Sequence, residues 1–171
     1  MRHAMRFLVI VVLCGAVLSA QGASKPSIEG VWKVSEIAVT GAGASTVSSP
    51  QPGLFIFTRG HYSMMYVPGS KPRALKKAEA ATTEEKVAAF DSFLANAGTY
   101  ELAGSNVTIR PVVARDPNYM VGGFNKYQFR IDGNTLTLTN KSTDLNMRFG
   151  EQVVPSKAPA SETRMKLVRL E

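Results

Sequence analysis

The stretch Glu29-Gly-Val-Trp-Lys-Val-Ser-Glu-Ile-Ala-Val39 decides how this chain folds. It follows an apolar N-terminal run, reads as a strand, and holds the single tryptophan, Trp32. Strict alternation puts Trp32, Val34, Glu36 and Ala38 on one face and Val31, Lys33, Ser35 and Ile37 on the other, the period-2 pattern of a strand between core and solvent. A lone strand is not stable, so the remaining chain must supply its partners.

The 171 residues, 44% hydrophobic and 19% charged, suit one globular domain able to bury a core. Residues 1–23 form a separate piece. Arg2 and Arg6 precede an apolar run from Phe7 to Leu18, and small residues follow it, which is the pattern of a secretory signal peptide. The run is too short to span a bilayer, so no stable membrane insertion is expected once the leader is cleaved. The expected mature domain, residues 24–171, is exported to the periplasm or secreted.

Cys14, the only cysteine, lies inside the leader, which leaves no disulfide and no thiolate metal site in the mature chain. Cleavage also removes Arg2 and Arg6, leaving 18 basic side chains against 13 acidic ones. The clustered part of that charge, Lys71, Arg73, Lys76 and Lys77, has no interleaved aromatic residues and reads as a solvated loop, so no nucleic-acid partner is expected.

Beyond the first strand, Thr40 to Pro52 is rich in Gly, Ala, Ser and Pro and reads as a long mobile connection. Gly53 to Val67 gives two apolar runs meeting at Arg59-Gly60, a tight hairpin. Thr82-Thr-Glu-Glu85 is a capping box that opens an amphipathic helix, with Val87, Phe90, Leu94 and Ala97 at helical spacing and Gly98 as its stop. Short strands follow at Thr99–Leu102, Asn106–Val113, Phe124–Ile131, Thr135–Thr139 and Thr163–Leu170, with an Asp132-Gly133 turn. Gly150 to Glu162 reads as a flexible loop. About eight strands with short turns close most simply into an antiparallel barrel, which removes both sheet edges and makes the Trp32 strand and the last strand neighbours.

Several motifs then resemble one family in order: Gly30-Val-Trp32, Thr58-Arg-Gly-His-Tyr-Ser-Met64, Thr82 to Asp91, Ala97-Gly-Thr-Tyr-Glu101 and Asp132-Gly-Asn-Thr-Leu-Thr-Leu138. Together they are similar to the bacterial lipocalin-like domain family, of the calycin type. The resemblance covers Glu29 to Glu171 and implies a mainly β, eight-stranded lipocalin-like barrel with one helix. It also implies that Trp32 and Arg169 close one end, with the guanidinium over the indole.

The chemistry on offer is sparse. His61 is the one histidine outside the leader, which excludes a multi-histidine metal site, and its place beside a hairpin turn argues for a solvated or structural role. No phosphate loop or acidic metal loop is present, so neither cofactor nor metal is expected, and no catalytic constellation stands out. Alternation from Trp32 aims Glu36 toward the barrel interior, where it would orient a ligand or act as a base; alternatively it lies near the open mouth, wet or paired with a basic side chain. Phe55, Phe57, Tyr62, Met64, Tyr66, Tyr127 and Phe129 either line a pocket or form plain core, since an eight-stranded barrel is just wide enough for both. Phe93, with Phe90 and Leu94, is expected to lid or plug the cavity.

Three functions fit these features. The first is an exported carrier of a small hydrophobic molecule, with the cavity open near the helix and the Thr40–Pro52 connection. The second is a barrel enzyme of cyclase or isomerase type using Glu36, His61 or a tyrosine. The third is an envelope interaction module with a filled barrel.

Overall fold

A computed structural model describes residues 27–72 and 81–171. The expected leader over residues 1–23 and the basic side chains Arg73, Lys76 and Lys77 lie outside the described residues. Among those described, no helix is long and apolar enough to cross a membrane.

The Trp32 segment is β1, Gly30–Gly41. It is followed by β2 (Ser45–Val47), β3 (Leu54–Thr58), β4 (His61–Tyr66), helix α1 (Thr83–Asp91), β5 (Leu94–Ala103) and β6 (Asn106–Ala114). A 3₁₀ turn at Pro117–Tyr119 leads to β7 (Phe124–Asp132), β8 (Thr135–Lys141), β9 (Leu145–Phe149), β10 (Gln152–Pro155) and β11 (Ser161–Arg169). All pairings are antiparallel, and the order β1-β3-β4-β5-β6-β7-β8-β11 returns to β1. This is a closed eight-stranded barrel without a free edge in the ring. Two pieces stand off it: β2 folds onto β1, and the β9–β10 hairpin attaches to the first residues of β7 through Phe124↔Asn146 and Asn125↔Leu145.

One end of the barrel is solid. Trp32, Phe55, Val107, Leu136, Leu138 and Leu167 are almost completely buried there. The Trp32 indole donates from Nε1 to the Ile28 carbonyl at 2.8 Å, so its polar edge is satisfied in the core. Arg169 covers the ring, its guanidinium carbon 4.0 Å from the centroid. The same guanidinium donates to Ser27 O and Glu29 O, both at 2.7 Å, and to Glu171 O at 3.3 Å. It thereby ties the chain entering β1 to the chain leaving β11. Gly30 sits under this contact with φ +134°, and a Cβ there would run into Arg169 Nη1 and Glu171 O.

The structure corrects several expectations. The Thr40–Pro52 connection is not unstructured, because β1 runs on to Gly41 and β2 pairs back onto it through Ile37↔Val47. The Gly150–Glu162 loop likewise contains β10 and the start of β11. The capping box at Thr82 is present, with Thr82 Oγ1 accepting from Glu85 N–H at 3.2 Å and Glu85 Oε2 accepting from Thr82 N–H at 3.0 Å. However, α1 ends at Asp91, buries no residue, and leaves Val87 and Phe90 exposed, so it is not the amphipathic helix expected. Leu94 and Ala97 belong instead to β5, which β4 needs as its partner from His61↔Thr99 to Tyr66↔Leu94. A ladder six residue pairs long outweighs the helical spacing of two apolar residues. Gly98 is then not a helix stop but part of a bulge, where the register shifts opposite Pro111, a residue with no N–H to give the ladder.

Candidate ligand cavity

A bulge in β1 sets the chemistry of the barrel interior. Val34 pairs with Leu167 but Glu36 pairs with Lys166, so Ser35 is the extra residue, its Oγ donating to Lys166 O at 3.0 Å. One inserted residue reverses the parity of everything beyond it. Ile37 therefore turns inward and is buried, while Glu36 leaves the interior and meets Lys166 Nζ at 3.0 Å on the outer face. This bulge overturns the expectation that Glu36 points into the barrel, while the alternative, pairing with a basic side chain, is met by Lys166. His61 is also outside, exposed at the β3–β4 turn with Nδ1 3.4 Å from Arg59 O.

Opposite the Trp32 end the barrel opens. There β7 pairs first with β9 and only from Gln128 onward with β8, so the two strands of that hairpin are splayed at the mouth. The result is a cavity of about 290 Å³. Its apolar wall is Met64, Leu94, Ala114, Leu145, Met147 and Met165. The polar groups are Tyr66, Tyr119, Tyr127, Asn96, Asn125 and Arg115, with Asp116, Asn140 and Thr163 toward the rim. A second hollow of about 440 Å³ adjoins it through Met147, but Phe149, Gln152, Val154, Ser156 and Lys157 complete it from the β9–β10 hairpin alone. A cleft walled by one hairpin cannot enclose a ligand, so the barrel cavity is the better candidate despite its smaller volume.

Of the residues singled out from sequence, Met64, Tyr66 and Tyr127 line the cavity. Tyr62 stands one layer behind, donating its hydroxyl hydrogen to Asn96 Oδ1 at 2.6 Å. Phe55 and Phe57 belong to the solid core, Phe55 against the Tyr66 ring and Phe57 edge-on to Tyr100. Phe129 packs partly buried against that core. Phe93 is half-buried at the α1–β5 junction and is not part of the cavity wall; of Phe90, Phe93 and Leu94, expected as a lid or plug, only Leu94 reaches the cavity, as part of its wall. No lining residue comes from Thr40–Pro52.

Sequence reasoning missed Arg115, Asn96 and Asn125. Arg115 Nη1 donates to the carbonyls of Phe90, Asp91 and Phe93 at 3.0, 3.2 and 2.8 Å, closing the C-terminal end of α1, and the guanidinium carbon lies 4.9 Å from the Phe90 ring centroid. Asn125 Nδ2 donates to Tyr127 Oη at 2.9 Å. The available signal was placement, since Asn96 and Asn125 fall at inward positions of β5 and β7 where an apolar residue is expected. Tyr119 is carried in by the turn after β6, whose Asp116 Oδ1 accepts from Asn118 N–H at 3.0 Å.

Three buried polar atoms facing this region have no hydrogen-bond partner among the described residues: Arg115 Nε, Tyr119 Oη and Asn125 Oδ1. Such groups are rare in folded proteins and costly when left empty, at about 1–3 kcal/mol each. Burial pushes the Tyr62, Tyr119 and Tyr127 hydroxyls far above their usual range. Tyr66 is pushed up to about 12 by burial, with the Arg115 charge pulling the other way. At neutral pH all four are neutral O–H groups, suited to hydrogen bonding and unsuited to accepting a proton as a base.

The family model of the lipocalin-like domain matches residues 29–155, roughly three quarters of the chain. No curated protein matched the chain. The match takes in every barrel strand except β11, the strand that carries Arg169 and completes the ring against β1. On the extent of that match, the protein belongs to the lipocalin-like domain family.

Proposed function

We propose that this protein is an exported carrier that holds one small, largely hydrophobic molecule inside its barrel. The observation that carries the reading is the half-filled barrel: one end is packed solid around Trp32, while the other keeps a cavity of about 290 Å³ walled by three methionines and two leucines. Methionine thioethers adapt to varied ligand shapes, and a few fixed polar groups within an apolar wall are the usual make-up of a small-molecule site. The volume, worth roughly ten water molecules, favours a ligand of modest size. Export rests on the leader pattern of residues 1–23.

A cavity-filling variant tests the reading. Ala114 borders the cavity, and Ala114→Phe would occupy it without removing any core side chain. The parent should bind a small environment-sensitive naphthalene dye at micromolar concentration, one per chain. The variant should keep its melting temperature and lose at least about tenfold in affinity, equivalent to about 1.4 kcal/mol. Equal binding by both proteins would place the site elsewhere and defeat the proposal.

A further inference from the structure

We propose that the ligand is a small monocarboxylate, its acid group held by Arg115, Tyr119 and Asn125 and its apolar body against Met64, Leu145 and Met165. This rests on the carrier reading and adds the chemistry of the ligand's polar end. Arg115 Nε and Tyr119 Oη are buried donors with no acceptor among the described residues. Arg115 also makes no ion pair among the described residues, although Asp116 lies at the rim of the same cavity. The ion pairs there join Arg110 to Glu101, Arg130 to Asp132 and Lys166 to Glu36. Its other contacts, three backbone carbonyls and a ring face, are neutral. A partly buried cation whose guanidinium Nε–H faces a cavity calls for an anion, and charge-assisted hydrogen bonds are the stronger kind.

Asn125 completes the array through its partner. Its Nδ2 donates to Tyr127 Oη, leaving Oδ1 unpaired. A tyrosine hydroxyl donates as readily as it accepts, so turning the amide over preserves the Asn125–Tyr127 hydrogen bond and presents the NH2 group to the cavity. In that orientation all three unpaired atoms become donors. A carboxylate, which only accepts, satisfies them together, whereas a hydroxyl or an ammonium does not.

Calorimetric titration of the parent protein with octanoate, octanamide, 1-octanol and octylamine tests this, because the four share one apolar tail and differ in the head. Octanoate should bind at least about tenfold tighter than any of the others. Tyr119→Phe, which removes only a hydroxyl, should weaken octanoate several-fold and leave octanol unchanged. Octanamide or octanol binding as tightly as octanoate would overturn the carboxylate assignment and leave the carrier reading standing. Failure of all four to bind the parent would overturn both. If Tyr119→Phe does not fold, the head-group series on the parent alone still decides the matter.

Discussion

Arg169→Ala should lower stability by about 2–4 kcal/mol, because this one side chain closes the packed end of the barrel. Its guanidinium stacks 4.0 Å from the centroid of a fully buried Trp32, a contact worth about 0.5–2 kcal/mol. It also donates to three backbone carbonyls, Ser27 O, Glu29 O and Glu171 O. Buried hydrogen bonds to a charged group contribute about 1.5–3 kcal/mol each, but these lie at the rim where water replaces the lost donor, so together they add only about 1 kcal/mol. Loss of the apolar stem over the indole adds the remainder. Against a total of about 5–15 kcal/mol for a domain, the change is large, and for this chain length it lowers the melting temperature by about 5–15 °C. Trp32 is the only tryptophan, so its fluorescence reports the transition and the local loss of cover together. The emission of the folded variant should move to the red. Arg169→Lys keeps the charge but not the planar fork and should fall between the two. An alanine variant melting within about a degree of the parent, with unchanged emission, would refute the idea that this contact closes the barrel.

Other perturbations separate the layers of the structure. Tyr62→Phe removes the 2.6 Å hydrogen bond to Asn96 Oδ1 and leaves a buried acceptor unpaired, so it should cost about 1–3 kcal/mol in denaturant unfolding. Glu36→Gln should change stability by less than about 1 kcal/mol and leave ligand affinity unaltered, since the Lys166 pair is partly exposed and on the outer face; a marked loss of binding would return Glu36 to the interior. Alkaline titration should show the buried tyrosines resisting ionisation. The folded-state pKa of Tyr62, Tyr66, Tyr119 and Tyr127 lies above the unfolded value of 10.0, so the unfolded chain loses protons first. Stability is therefore full below pH 10 and falls as pH rises past it, by about 1.4 kcal/mol per pH unit for each tyrosine ionised only when unfolded. A stability curve flat from pH 9 to 12 would contradict the burial of these hydroxyls.

The barrel was legible because its signals are local and repeated. Asp132-Gly133 and Arg59-Gly60 mark hairpins that form where expected, and alternation in Phe124–Ile131 fixes which residues face the core. Trp32 and Arg169 meet although they are far apart in the chain, because closing a meander leaves β1 and β11 only each other. What failed was parity and competition. The Ser35 bulge has no marker in its own residues, yet it moves Glu36 from inside to outside. Leu94 and Ala97 fit a helix as well as a strand because the two spacings agree over so few residues, and only the pairing need of β4 separates them. The polar half of the cavity was hidden for a different reason. Arg115, Tyr119 and Asn125 come from the end of β6, the turn after it and the start of β7, and converge only because β7 leaves β8 for β9.

On the proposed reading, a small ligand enters the open end of the barrel while the Trp32 end stays sealed. Amide shift mapping of the isotope-labelled protein titrated with octanoate reads both ends at once. Entry at the open end predicts saturable shifts at Leu94 to Asn96, Arg115 to Tyr119 and Asn125 to Tyr127, with the Trp32 indole N–H unmoved. Shifts confined to Phe149 to Lys157 on the β9–β10 hairpin, or no shifts at all, would contradict it.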